Sequence, residues 1–287
     1  MACQACERCA RAGARPGCQQ SGPVIRGIVN GVRSEDFGLT VTTLLACPRK
    51  RRLMQETDYW LRPKDSWWSY RGQLMHGVSE QYAGDDPNLI AETRFTLAVR
   101  LEGIGSVNVS GQPDLVDGER GHLTDYKTTK RVPGPRRYYA CPETNAVIQY
   151  GYSRKKKLDC PHCGGEHPTA EAGRLSEARA YPHHVQQVNL YAYLLRANGI
   201  DIKTADIIYM DMEQQLRLPV ELLPAEQVAA LLAERARLHS QPALPDILQE
   251  AETVWECNYC PVRAACEQLH GGPVGQAVPA WEAAADQ

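Results

Sequence analysis

The chain has 287 residues and a formal net charge of -2, so it can bury a full core as one elaborated domain and carries no overall basic excess. No apolar run approaches membrane-spanning length and no charged-then-apolar leader opens it, so a soluble, uncleaved, cytoplasmic protein with no membrane partner is expected. Eleven cysteines in such a chain point to metal ligation rather than to disulfides.

Residues 1–38 are rich in Gly, Arg, Gln and Cys and show little apolar periodicity, so the segment is expected to order only around a ligand. Cys3, Cys6, Cys9 and Cys18 stand at x2, x2 and x8 gaps and could close a four-thiolate site. Zinc is the simpler occupant, an iron–sulfur cluster the less simple one, and a flexible tail carrying thiols the plain alternative. From Leu39 to Gln55, the positions of Leu39, Val41, Leu44, Leu45, Leu53 and Met54 predict a helix interrupted near Pro48, with Cys47 at the break.

Residues 66–83 predict a second helix with Asp65-Ser66 as its N-cap, carrying Trp67, Trp68, Leu74, Met75, Val78 and Tyr82 between polar positions. Trp67, Trp68 and Tyr70 are expected in the core, although an exposed ring could stack on a base. Gly72 lies one turn before His76, where a glycine lets another backbone or a DNA strand come close. An isolated helical histidine is more often a surface or core residue than a ligand.

Ile90 to Leu101 alternates, with Thr93, Phe95, Leu97 and Val99 on one face, which predicts one antiparallel strand. Glu92 falls on the opposite face, where it could add a carboxylate to a site, but an exposed salt bridge is its expected use. Val107 to Val116 and Gly121 to Thr128 should complete a small sheet, ending in a β-hairpin across the polar turn from Asp117 to Gly121. Asp125 and Lys127 then project from one face of their strand, and Asp114 can come level from its neighbour. Two carboxylates on one sheet face make a hard, oxygen-lined site for Mg or Mn, and the lysine beside them can help orient and deprotonate the attacking water. Those are the parts of a phosphodiester hydrolysis site, although a surface ion pair gives the same pattern.

Residues 131–184 change character, with a Pro-Gly-Pro, a tyrosine pair and the basic run Arg154 to Lys157. Cys160-x2-Cys163 followed by two glycines reads as a zinc knuckle, with Cys141 and His167 as the remaining ligands and His162 a poorer one. This zinc-stapled insertion could contact DNA through its basic run or merely stiffen a loop. A helix from Pro182 or His183 to Ala197 should end at Asn198-Gly199. Two strands, Ala205 to Met212 and Leu216 to Leu223, precede an amphipathic helix from Pro224 to Leu238, with Val228, Leu231, Leu232 and Leu238 on its buried side. Cys257, Cys260 and Cys266, at x2 and x5 gaps, close the ordered part before a flexible tail at 269–287.

Pro113-Asp114, ten residues, then Asp125-Tyr126-Lys127-Thr128 resembles the signature of the PD-(D/E)XK nucleases in its RecB-like form. Gly72-x3-His76 resembles the helix that supplies those enzymes with a histidine ligand, and Gln187-x3-Tyr191 resembles the motif that positions DNA near the metals. Leu45-Ala46-Cys47-Pro48-Arg49-Lys50 and the C-terminal cysteine triplet resemble the cluster cysteines of the CRISPR-associated RecB-like exonucleases, the fourth Cas family; the triplet also resembles that of AddB-type recombination nucleases. The resemblance covers roughly residues 40–130 and 183–268.

It implies an α/β fold over residues 39–268, a restriction-endonuclease-like mixed central sheet flanked by helices, with an iron–sulfur staple; the zinc-binding insertion at 131–184 departs from the family's pattern, in which the lysine strand passes quickly to the next helix. By resemblance, His76, Asp114 and Asp125 hold Mg or Mn, Lys127 assists the water, and Gln187 and Tyr191 contact DNA. Cys47, Cys257, Cys260 and Cys266 hold a 4Fe-4S cluster, although zinc could fill the same thiolates. The implied activity is a divalent-metal-dependent deoxyribonuclease, an exonuclease preferring single-stranded DNA or DNA ends, as in CRISPR prespacer processing in antiviral defence, with CRISPR integrase proteins as partners. Two alternatives stand beside it: a phage or recombination end-processing nuclease, and a non-catalytic iron–sulfur DNA-binding adaptor.

Overall fold

The computed structural model describes residues 38–59, 66–245 and 254–271, with Val24, Gly27 and Ile28. The expected site at Cys3, Cys6, Cys9 and Cys18 lies outside the described residues, as does nearly all of the tail.

A two-residue strand, Leu39–Thr40 (β1), leads into helices Val41–Leu45 (α1) and Pro48–Glu56 (α2). The Thr43 amide donates to Thr40 Oγ1 at 3.0 Å and starts α1, while Pro48 in the first turn of α2 forces the interruption and leaves Cys47 as the N-cap. Helix Trp67–Ala83 (α3) follows as expected, but its apolar residues do not lie where periodicity put them. Leu74, Val78 and Tyr82 are exposed, and Trp67 and Tyr70 are half-buried rather than core. The face that meets the sheet carries Gly72, His76 and the buried Ala83, and a Cβ on Gly72 would stand 3.6 Å from Thr128 Oγ1. Local pattern was outweighed by the placing of a polar site beneath the helix.

The strand expected over Ile90 to Leu101 is two strands, Leu89–Ala91 (β2) and Phe95–Leu101 (β3), in different sheets. The break falls at Glu92, whose φ is 47°, a left-handed conformation that no periodicity announces. Likewise Gly105–Gly111 (β4) belongs with β3, and Leu115–Asp117 (β5) with His122–Thr128 (β6). The hairpin β5-β6 is as expected, with Leu115 opposite Thr124 and Val116 opposite Leu123. Gly121 closes its turn at φ 64°, and a Cβ there would meet the Asp201 carbonyl.

After β6 comes a lobe built from Arg137–Ala140 (β7), Val147–Tyr150 (β8), Lys157–Asp159 (β9), Glu166–Pro168 (β10), the short helix Thr169–Ala172 (α4) and Gly173–Leu175 (β11). Tyr139, Leu158 and Ala172 form its own small core, with Ile148 against them. Helix Pro182–Ala197 (α5) returns to the main body, followed by Thr204–Met210 (β12), Gln215–Val220 (β13) and helix Ala225–Ser240 (α6). The inward face of α6 carries Val228, Leu232, Arg235, Ala236 and His239, so the expected Leu231 and Leu238 sit only at its margin.

The protein is therefore mixed α/β. Its central sheet has the order β13-β12-β6-β5-β2, with β12 parallel to β6 and the other neighbours antiparallel; a second sheet has the order β1-β4-β3. Val116, Leu123, Ile207 and Tyr209 are fully buried with Val41, Leu44, Leu190 and Leu195 from the helices. Truncating one such leucine to alanine typically costs about 2–5 kcal/mol. Gly111 sets the approach of α5, since a Cβ there would lie 2.7 Å from Leu194 Cδ2 and 2.9 Å from Tyr191 Cε1. A 3-10 helix, Val254–Tyr259, and helix Arg263–His270 (α7) end the described chain, and Val262 and Cys266 pack on Leu53 of α2. Among the described residues no helix is long and apolar enough to cross a membrane.

Candidate functional site

Three segments meet at the start of β5. His76 comes from α3, Glu92 from the corner after β2, and Asp114 from the residue before β5. His76 Nδ1 lies 2.7 Å from Glu92 Oε1 and 3.1 Å from Asp114 Oδ1. One ligand atom from each of the three falls within 4.8 Å of the others, a spacing that suits a metal ion. Backbone and neighbours hold the carboxylates in place: the Tyr126 amide donates to Asp114 Oδ2 at 2.6 Å, and Gln112 Nε2 donates to Glu92 Oε2 at 2.6 Å. Arg94 in turn donates to Gln112 Oε1 at 3.0 Å. Such outer partners fix the rotamers of would-be ligands.

Hydrogen bonds to Asp114 and then Glu92 raise His76 to about 10, against the opposing effect of burial. Without a metal the imidazole is thus a cation clasped by two carboxylates, and a divalent ion would replace its proton. Glu92 corrects the sequence reading, which preferred an exposed salt bridge to a place in the site: its side chain is only 8% exposed. The signal that could have found it is the carboxylate two residues before Arg94 at a strand end, but nothing local shows the turn in the backbone that aims it inward.

Asp125 and Lys127 do share a face of β6, as alternation requires, and Lys127 Nζ lies 2.7 Å from Asp125 Oδ2. Asp125 is not one of the three converging ligands. Burial pushes it up to about 6, with Lys127 opposing that and Asp114 adding to it. Burial would lower Lys127, but the Asp125 and Asp114 carboxylates outweigh it and leave it raised. Apart from this ion pair, neither Asp125 oxygen has a hydrogen-bond partner among the described residues, an unusual state for a carboxylate that is 1% exposed. On α5, Gln187 Nε2 donates to Tyr191 Oη at 3.1 Å. Tyr191 is itself buried, against the Asp125–Lys127 pair, so of the two residues expected to touch DNA only Gln187 reaches the surface.

The cysteines form two further groups. In the lobe, His167 Nε2 lies 3.4 Å from Cys141 Sγ and 3.1 Å from Cys163 Sγ, and with Cys160 their ligand atoms all fall within 4.8 Å. This largely buried set could hold a metal ion, and it is the set expected from the sequence. Hydrogen bonding from Thr144 lowers Cys141 to about 6, and the Gly165 amide donates to Cys163 Sγ at 3.4 Å. His162 is turned away, its Nε2 3.0 Å from the Val147 carbonyl. Cys47, Cys257, Cys260 and Cys266 line one cavity with Lys50, Glu256 and Arg263, and Arg49 Nε donates to Cys266 Sγ at 3.3 Å. No three of these thiols come within 4.8 Å of one another. Burial raises Cys47, Cys257 and Cys260, so loading the site must displace their protons.

No protein-family model matches the chain, and no curated protein matches it. Among solved structures, the crystal structure of SSO0001 is similar, with a TM-score of 0.50 and 16% identity over 85% of this chain and 93% of that one. The likeness is one of fold, and chemistry has to be argued from the side chains themselves.

Proposed function

We propose that the chain is a divalent-metal-dependent DNA nuclease whose central sheet is the core of a PD-(D/E)XK fold. The observation that carries this reading is the convergence of His76, Glu92 and Asp114 within 4.8 Å, beside the buried Asp125–Lys127 pair. These three, with the buried Asp125 carboxylate that Lys127 pairs, are a donor set for a hard ion such as Mg or Mn. Such an ion, when bound, makes water a better nucleophile at neutral pH and offsets charge on the phosphate. With such an ion bound, His76 would give up its proton and hold the ion together with Glu92 and Asp114. Lys127, kept charged by Asp125 and Asp114, is positioned to orient the attacking water and to face the negative charge that builds on the phosphate oxygens. Burial keeps bulk water from screening that charge.

End-labelled single-stranded DNA should be cleaved by the wild type with Mg or Mn, and about 100-fold more slowly by Lys127→Ala. Absence of metal-dependent cleavage by folded, cluster-loaded protein would overturn the reading. The resemblance supplies the finer setting: an exonuclease on DNA ends, acting with CRISPR integrase proteins in prespacer processing.

Tetrahedral zinc at about 2.3 Å from sulfur sets its ligands about 3.8 Å apart, which suits Cys141, Cys160, Cys163 and His167, whose ligand atoms all fall within 4.8 Å. Cys47, Cys257, Cys260 and Cys266, which line one cavity, are assigned by resemblance to a 4Fe-4S cluster that ties the two ends of the domain. An iron–sulfur DNA-binding adaptor is the second reading, favoured by one observation: Asp125 is paired with Lys127 rather than gathered with the other ligands. The cleavage assay separates the two.

A further inference from the structure

The lobe between β6 and α5 has no part in the chemistry just described, yet its composition is unlike the rest. Residues 131–180 hold nine Arg and Lys against five Asp and Glu, a surplus of four positive charges in a chain whose formal net charge is -2. Its three-stranded sheet has the order β11-β7-β8, and the register sets Arg174 opposite Tyr138 and Tyr138 opposite Tyr150. Residues directly opposite on an antiparallel sheet share a face. Tyr139, next in the strand, points the other way into the lobe's core, which leaves the row Arg174, Tyr138, Tyr150 on the outer face.

The rings of Tyr138 and Tyr150 lie 6.2 Å apart, and Tyr150 is 66% exposed. Two residues on, Tyr152 is 72% exposed, and the exposed Arg154, Lys155 and Lys156 follow at once. A single exposed tyrosine means little. Aromatic rings at sequence positions 138, 150 and 152, two of them in cross-strand register and the last running into a basic stretch, make the arrangement that a flexible polynucleotide uses, with bases stacked on rings and phosphates on cations. A duplex hides its base faces and can use only the cations.

We propose that this outer face binds single-stranded DNA, so that the metal-stapled lobe is a strand-holding arm strung between the segment carrying Asp125 and Lys127 and the helix carrying Gln187. The substrate class rests on the nuclease reading above; the surface itself does not. The test uses the full, metal-loaded chain, with calcium replacing the catalytic ion, and fluorescein-labelled oligothymidine read by anisotropy beside a blunt duplex of equal length.

Tyr150→Ala/Tyr152→Ala should weaken single-strand binding about tenfold or more and duplex binding less than about twofold. Tyr150→Phe/Tyr152→Phe should bind like the wild type, because stacking needs the ring and not the hydroxyl. Lys155→Glu/Lys156→Glu should weaken both substrates and flatten the salt dependence by about one to two units of slope. Zinc content equal to the wild type shows that each variant keeps its lobe. If the alanine variant binds oligothymidine within about twofold of the wild type, the proposal is wrong. Manganese-dependent hydrolysis of bis(p-nitrophenyl) phosphate, too small to reach the lobe, reads the metal site alone. Tyrosine-dependent binding without that hydrolysis would sink the nuclease reading and leave the arm standing.

Discussion

Glu92 Oε1 lies 2.7 Å from His76 Nδ1, and Glu92 reaches it from a backbone held at φ 47°. A non-glycine residue in that region is strained, and strain is tolerated where the surrounding contacts over-determine it. Here those contacts are His76 and Gln112. Glu92→Gln keeps the shape and removes the charge, so manganese or calcium affinity should fall by about tenfold or more in calorimetric titrations, with little change in thermal stability. Unchanged affinity would remove Glu92 from the ligand set.

His76 makes that binding pH-dependent. Its folded-state value of about 10 lies above the ordinary 6.5, so in the metal-free protein its stabilising contribution is full below 6.5 and is lost as pH rises through 10. A cation must displace this proton. Calorimetry near pH 7.5, in buffers of different ionisation enthalpy, should therefore show about one proton released per ion bound, and His76→Ala should abolish the release.

The Asp125–Lys127 pair should be costly to break from one side. Lys127→Ala leaves a carboxylate that is 1% exposed without its only partner among the described residues, and a loss of about 3–5 kcal/mol in urea denaturation is expected. Adding Asp125→Asn should restore much of that stability without restoring cleavage. That outcome would separate the structural role of the pair from the catalytic one proposed for it.

His184 couples the site's helix to acid sensitivity. The Tyr181 amide donates to Tyr209 Oη at 3.0 Å, and Tyr209 Oη is hydrogen-bonded to His184 Nδ1 at 2.9 Å. Burial, with Lys127 and His183 adding to it, holds His184 well below 6.5, and burial with Lys127 lowers His183 to about 4. Below 6.5 the unfolded chain therefore binds more protons than the folded one. Stability is full above 6.5 and lost as pH falls from there towards 4, by on the order of 2–3 kcal/mol for His183. Denaturation midpoints between pH 7 and 4 should show this, and His184→Gln, which can still hydrogen-bond to Tyr209 but does not titrate, should flatten the curve.

The two cysteine groups should load independently. Elemental analysis after anaerobic purification should give about one zinc and about four irons per chain. Cys160→Ser should lose the zinc and keep the iron, and Cys260→Ser the reverse. A variant that lost both metals would show the groups to be one cooperative unit.

Much of this protein is legible along the chain. Helix positions, the glycine-closed hairpin, the same-face placement of Asp125 and Lys127, and the candidate metal group Cys141, Cys160, Cys163 and His167 all follow from residue type and spacing, because each depends on neighbours within one or two elements. The tertiary structure alone decided that a left-handed corner at Glu92 splits one expected strand into two sheets, that Glu92 and Gln112 join the site, and that Asp125 turns to Lys127. It also set the polar side of α3, rather than its apolar side, against the sheet. Those outcomes depend on segments as distant as His76 and Asp114 meeting over one buried corner, where the cost of unpaired charge outweighs local preference, and no window of sequence carries that balance.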